Sequence, residues 1–177
     1  SLTDSNGRKT DFRNITMIMT TNAGAEVLSK ANFGFTHNKQ TGDEQAEIKK
    51  ITLSVSKHSK PLFVNADEGR ITQVLTNLIV NSINYGTEGG RTKIKFYDLD
   101  ENYLVEIGDN GRGINEVHLP RLFERFYRVD KGRSRADGGS GLGLSIVKHI
   151  IEAHEQTINV RSKFGEGSVF SFTLKKA

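Results

Sequence analysis

Two glycine-rich stretches, Gly108-Asp109-Asn110-Gly111-Arg112-Gly113-Ile114 and Gly138-Gly139-Ser140-Gly141-Leu142-Gly143-Leu144-Ser145-Ile146, constrain this chain more than any other feature. The first follows an alternating strand, Tyr103-Leu104-Val105-Glu106-Ile107, and sets one carboxylate among glycines whose backbone can approach a ligand closely. It reads as a purine site. The second runs into an apolar helical pattern (Leu144, Val147, Ile150, Ile151), which puts unpaired backbone N–H groups and the positive end of a helix dipole where an anion can sit. It reads as a phosphate site. Either cluster alone is weak evidence, because glycine-rich turns are more often plain connections.

The rest of the composition narrows the setting. At 177 residues the chain can bury one good core. No stretch approaches the roughly 18 consecutive apolar residues of a membrane span, and the N-terminus lacks a basic-then-apolar signal pattern, so a soluble chain with no membrane contact is expected. The absence of cysteine removes disulfides, thiol nucleophiles and thiolate metal sites, and suits a cytoplasmic location. The net charge of +4 comes partly from Arg125, Arg128, Lys131, Arg133 and Arg135. That cluster lacks interleaved stacking aromatics and lies between the glycine stretches, which favours phosphate contact over nucleic acid.

Taken in order, Ile51 to Val55 and Pro61 to Asn65 read as strands. A helix follows, with Asp67 as N-cap and Ile71, Val74, Leu75, Leu78, Ile79 and Ile83 on its core face. Asn77 and Asn81 fall one turn apart on another face. Gly86 to Gly90 is a turn, Thr92 to Asp98 and Tyr103 to Gly108 form a hairpin, a helix runs from the second glycine stretch to about Glu155, and a hairpin closes the chain. Leu122, Phe123 and Phe126 recur at helical spacing, with core packing as the default.

Asn77-Leu78-Ile79-Val80-Asn81, the first glycine stretch, Leu122-Phe123-Glu124-Arg125-Phe126 and the second glycine stretch form an ordered set. That set resembles the N box, first glycine box, F box and second glycine box of the ATP-binding domain of sensor histidine kinases, relatives of gyrase and a heat-shock chaperone. The resemblance runs from about Ile51 to Ala177. It implies an α+β fold, a two-layer sandwich whose mixed sheet is covered on one face by helices. It further implies ATP or ADP as ligand, with magnesium held through Asn81, whose amide carbonyl is a hard-oxygen donor. Asn77 stands where hydrolytic relatives carry a glutamate, and an amide cannot act as a base. Asp109 would accept a hydrogen bond from the adenine amine, with Gly111, Gly113, Ile114 and Tyr85 around the base. Arg128, Lys131, Gly139, Gly141, Leu142 and Gly143 would meet the phosphates. Tyr127 to Ser140 would be the lid.

Residues 1–50 do not share that resemblance. The run from Leu2 to Gly24 resembles the Clp family of AAA+ unfoldases, with Asn22 at the sensor asparagine, yet no G-x-x-x-x-G-K-[ST] loop occurs. This segment is expected to supply a strand from Asn14 to Thr20, a helical stretch from Ala25 to Ala31, a polar loop from Gly34 to Asp43 and a short helix from Glu44 to Lys50. A chimera in which it completes the sheet of residues 51–177 follows, with a fold hybrid of no native activity as the alternative. None of the five histidines lies in a His-Glu-x-x-x-Pro type pattern, so no catalytic residue in cis is expected. The phosphoacceptor would belong to a histidine-bearing dimerisation domain of the parent kinase, which the resemblance attaches to a membrane and pairs with a response regulator.

Overall fold

The computed structural model describes residues 2–3, 9–10, 16–19, 49–58, 60–129 and 140–177. Near the N-terminus, β1 (Leu2–Thr3) pairs with β2 (Lys9–Thr10), and β3 (Thr16–Met19) pairs antiparallel with β5 (Leu62–Asn65), Met17 opposite Val64. The main sheet has five strands in the order β4 (Thr52–Val55), β6 (Arg91–Leu99), β7 (Asn102–Asp109), β9 (Gly167–Lys175), β8 (Ile158–Lys163). β4 runs parallel to β6 and the other pairs are antiparallel, so the sheet is mixed. The end of β9 reaches β5 through a Val64–Lys176 bridge and an Ala177 N–H to Phe63 carbonyl bond of 3.1 Å.

Alternation decides which face of the sheet is covered. Val55, Ile94, Ile107, Phe170 and Val160 stand opposite one another across all five strands, and Phe96, Val105, Phe172 and Ile158 form a second row on the same face. Helices α1 (Glu68–Tyr85) and α2 (Gly143–Ala153) lie over these rows. α1 buries Ile71, Val74, Leu75, Leu78, Ile79 and Ile83, and α2 buries Val147, Ile150 and Ile151. Phe172 is fully buried at the centre, where truncation to alanine costs about 3–5 kcal/mol. A buried hydroxyl pair, Ser82 and Thr92 at 2.9 Å, fastens α1 to β6.

α1 is held at both ends. At its start Asp67 caps the helix, accepting the Arg70 N–H at 2.9 Å, and the Asp67 N–H donates to His154 Nε2 at 3.1 Å. His154 Nδ1 lies 2.8 Å from the Ile150 carbonyl, so the ring joins the head of α1 to the tail of α2. At the other end the Lys49 ammonium donates to the carbonyls of Ile83, Asn84 and Gly86 at 3.1, 2.6 and 3.4 Å.

Three sequence expectations shift. α2 stops at Ala153, and Glu155 takes a left-handed φ of 58° while Gln156 N–H bonds the Ile151 carbonyl at 3.1 Å. This is a Schellman ending. Lys49 and Lys50 form a turn, Lys50 at φ 51°, rather than the end of a helix. Phe126 is 72% exposed with φ 62°, so it is not a core residue; Leu122 is buried and Phe123 packs against the core. The helical spacing holds only through a 3-10 helix, Glu116–Arg121, and its C-cap Leu122. The stretches read in the sequence as helix and loop between Ala25 and Asp43, with Asn22, lie outside the described residues.

Candidate nucleotide site

β7 ends at Asp109, paired on one side with Thr92 and on the other with Ser168, so the backbone beneath the carboxylate is fixed from both directions. Its Oδ1 accepts the Gly111 N–H at 2.8 Å. Burial pushes the Asp109 carboxyl above its ordinary value of 3.8, and hydrogen bonds from the Gly111 and Ser168 backbone offset part of that rise. The tripeptide is therefore a turn former with a half-buried acid inside it. Asn110 serves the turn, accepting the Arg91 N–H at 2.6 Å.

Gly111 is required by approach. A Cβ there would stand 2.5 Å from the Tyr85 carbonyl oxygen, 2.9 Å from Asp109 Oδ1 and 3.1 Å from Gly86 Cα. The foot of α1 thus presses against the first glycine stretch. Gly113, at φ 68°, lies so close to the Lys163 carbonyl that a Cβ would overlap it. Ile114 N–H donates to Ser162 Oγ at 2.8 Å, and its side chain packs against the core.

α1 carries the polar residues between the two stretches. Asn77 is half-buried, donates through Nδ2 to the Gln73 carbonyl at 2.9 Å, and turns Oδ1 toward the start of α2, 3.0 Å from where a Cβ on Gly143 would be. Asn81 lies half-buried one turn further along. Tyr85 at the last position is 48% exposed, with the Arg112 guanidinium 5.0 Å from its ring centre.

The second stretch enters through Gly141, at φ 72°, whose carbonyl accepts the Phe126 N–H at 3.0 Å. Leu142 is the N-cap of α2 and provides no side-chain cap, and the first turn holds no acidic residue. Among the described residues no acid neutralises the positive pole of α2, where the Leu142 N–H reaches the Ser140 hydroxyl at 3.3 Å. Arg128 is half-buried, while Lys131 and Gly139 lie outside the described residues. Ahead of them His118 Nδ1 and the Tyr127 hydroxyl lie 2.7 Å apart, and the Arg121 guanidinium stands 4.6 Å from the Tyr127 ring centre.

Asn77, Tyr85, Asp109, Gly111, Gly141 and Gly143 are thus linked through the polar flank of α1 and the loops it touches. Lys49 is part of this cluster and carries no sequence signal, because its partners are carbonyls more than thirty residues away. An open cleft of about 260 Å³ on the sheet face away from the helices is lined by Arg91, Lys93, Lys95 and Glu106 and reaches Gly108, Asp109 and Asn110 of the first glycine stretch.

Comparisons agree with this geometry. Residues 66–177 match the family described as histidine kinase-, DNA gyrase B- and HSP90-like ATPase. The chain is 41% identical over 117 residues to the sensor histidine kinase WalK of Bacillus subtilis, covering 65% of this chain and 19% of that protein. It is 43% identical over 135 residues to YkoH of the same organism, covering 71% of this chain and 27% of that protein. The nucleotide-free catalytic domain of the histidine kinase ThkA superposes with a TM-score of 0.70 at 27% identity, over 92% of this chain and 97% of that one. The chain therefore spans 19% of the length of WalK and 27% of that of YkoH. It belongs to the histidine kinase-, DNA gyrase B- and HSP90-like ATPase family, as an ATP-binding catalytic domain of the two-component sensor histidine kinase type.

Proposed function

We propose that this domain binds ATP with its adenine against Asp109 and its phosphates at the open head of α2, and donates the γ-phosphoryl group to a histidine on a dimerisation domain of the parent kinase. The observation that carries the reading is the position of α1: its foot touches Gly111 and its middle faces Gly143, so one helix spans the distance from purine loop to phosphate turn. Asp109 accepts the exocyclic amine of adenine, a donor that guanine does not offer there. Gly111 and Gly113 keep the loop low, and Tyr85 and Ile114 flank the base. Arg128, Lys131, Gly139, Gly141, Leu142 and Gly143 belong to the phosphate end.

The donor set fits magnesium, since Asn81 offers a hard amide oxygen on the flank of α1 that also carries Asn77. Bound there, the ion would neutralise phosphate charge during transfer. Asn77 cannot take a proton from water, so hydrolysis is slow and the phosphoryl group survives for a protein acceptor. A response regulator would receive it next; ThkA is known in complex with the response regulator protein TrrA. The domain acts on the cytoplasmic side of a membrane-attached kinase; among the described residues no helix is long and apolar enough to span a membrane.

For residues 1–50, the proposal is that a Clp-like strand unit is joined to the kinase domain to complete its sheet; the β3–β5 pairing supports attachment to residues 51–177, as a two-stranded sheet beside the five-stranded one. The alternative of a hybrid without native activity draws no support from the relatives.

Calorimetric titration of ATP and ADP with magnesium tests the site. Saturable binding lost in Asp109→Asn, and magnesium dependence lost in Asn81→Ala, are the expected results. A folded Asp109→Asn protein that binds ATP as the parent does would overturn the adenine assignment.

A further inference from the structure

The foot of α1 ends on carbonyls that the helix itself cannot satisfy, and its last turn contains no basic residue. Three oxygens at that foot, on Ile83, Asn84 and Gly86, converge on one ammonium from a distant segment, that of Lys49, and the Ile83 oxygen also accepts the Gly86 N–H at 3.3 Å. The Lys49 carbonyl in turn accepts the Gly89 N–H at 2.8 Å, so the residue is tied to the Gly86–Gly90 turn by backbone as well as side chain. A cation at the negative pole of a helix stabilises it, more so when half-buried.

The contacts continue into the proposed purine loop. Tyr85 and Gly86, held from one side by the Lys49 cage, form the surface on which Gly111 rests, and the Arg112 N–H points at the Tyr85 carbonyl at 3.5 Å. Gly111 is the residue whose N–H binds Asp109 Oδ1. A shift of the last turn of α1 by a few tenths of an ångström therefore has no slack to absorb it before the loop beneath Asp109 moves. We infer that Lys49 is a positioning residue for purine recognition, setting through the carbonyls of α1 the height of the loop that aims Asp109. The inference rests on the proposed adenine role of Asp109.

The test compares Lys49→Met, which keeps the stem and removes the donors, with Lys49→Arg and with the outward-facing control Lys95→Met. Titration of ATP and ADP should show Lys49→Met weakening both by the same factor, about three- to tenfold, because the purine end is common to the two. Lys49→Arg should recover most of the loss, and Lys95→Met should match the parent. In the absence of nucleotide the Gly111 amide resonance should move in Lys49→Met and stay put in Lys95→Met. A Lys49→Met protein with unchanged Gly111 resonance and unchanged affinities overturns the inference, as does a loss confined to ATP, which would mark a phosphate contact. If Lys49→Met fails to fold, Lys49→Gln takes its place with the same readouts. Asp109→Asn, run alongside, reports separately on the adenine assignment, since the Gly111 resonance tests Lys49 whichever ligand the site takes.

Discussion

Asn77 Oδ1 lies 3.0 Å from the place a Cβ would occupy on Gly143, so the N box and the second glycine box meet with almost no room between them. Gly143→Ala would raise the helix propensity of α2 by up to about 1 kcal/mol while pushing Asn77 aside. The expected outcome is a thermal midpoint equal to or above that of the parent, with ATP affinity reduced several-fold. Differential scanning fluorimetry and calorimetry on the same sample separate the two effects, and an unchanged affinity would show that Asn77 yields freely.

Asp109 should destabilise the empty domain. Its carboxyl is raised by burial, so between the ordinary value of 3.8 and the raised one the folded state binds more protons than the unfolded state. Stability therefore falls as pH rises through that window, and the penalty persists above it. Asp109→Asn keeps an acceptor for the Gly111 N–H and removes the charge. It should raise the nucleotide-free midpoint at neutral pH, a gain that vanishes below pH 3.8, while eliminating ATP binding. A midpoint that drops at neutral pH would contradict the burial argument.

Gly113→Ala should be strongly destabilising. The new methyl would overlap the Lys163 carbonyl at a φ of 68°, where side chains are already strained. A loss of about 2–4 kcal/mol in urea denaturation is expected. A loss below 1 kcal/mol would mean that the β8–β9 turn moves away at little cost.

Glu155→Gly should stabilise. Glu155 occupies the left-handed position of the Schellman ending at φ 58°, where glycine avoids the Cβ clash. Added backbone freedom in the unfolded chain offsets part of the gain, leaving about 0.5–1 kcal/mol. The same denaturation assay measures it, with nucleotide affinity unchanged.

Much of this could be read from the sequence because the informative signals are periodic or local. The core face of α1 came from spacing, Asp67 from its capping chemistry, and both hairpins from alternation between turns. Phe126 was misread because its N–H bonds Gly141, a partner no local spacing reveals. Lys49 was invisible for a related reason: a lysine that caps a helix from another segment looks like any surface lysine. Helical spacing ran α2 on to about Glu155, but the Schellman hydrogen bonds hold Glu155 in the conformation a glycine would take.

The parallel pairing of β4 with β6, and the placing of Val64 in the core, bear on where such a domain can be cut. The match to the family model begins at residue 66, yet a fragment trimmed there would lose β4, β5 and the lysine at the foot of α1. The side of β6 that β4 covers, from Arg91 to Ile94, would become a bare edge, the kind of border on which chains stack into aggregates. The stretch that matches the family model is shorter than the stretch that covers the border of the sheet.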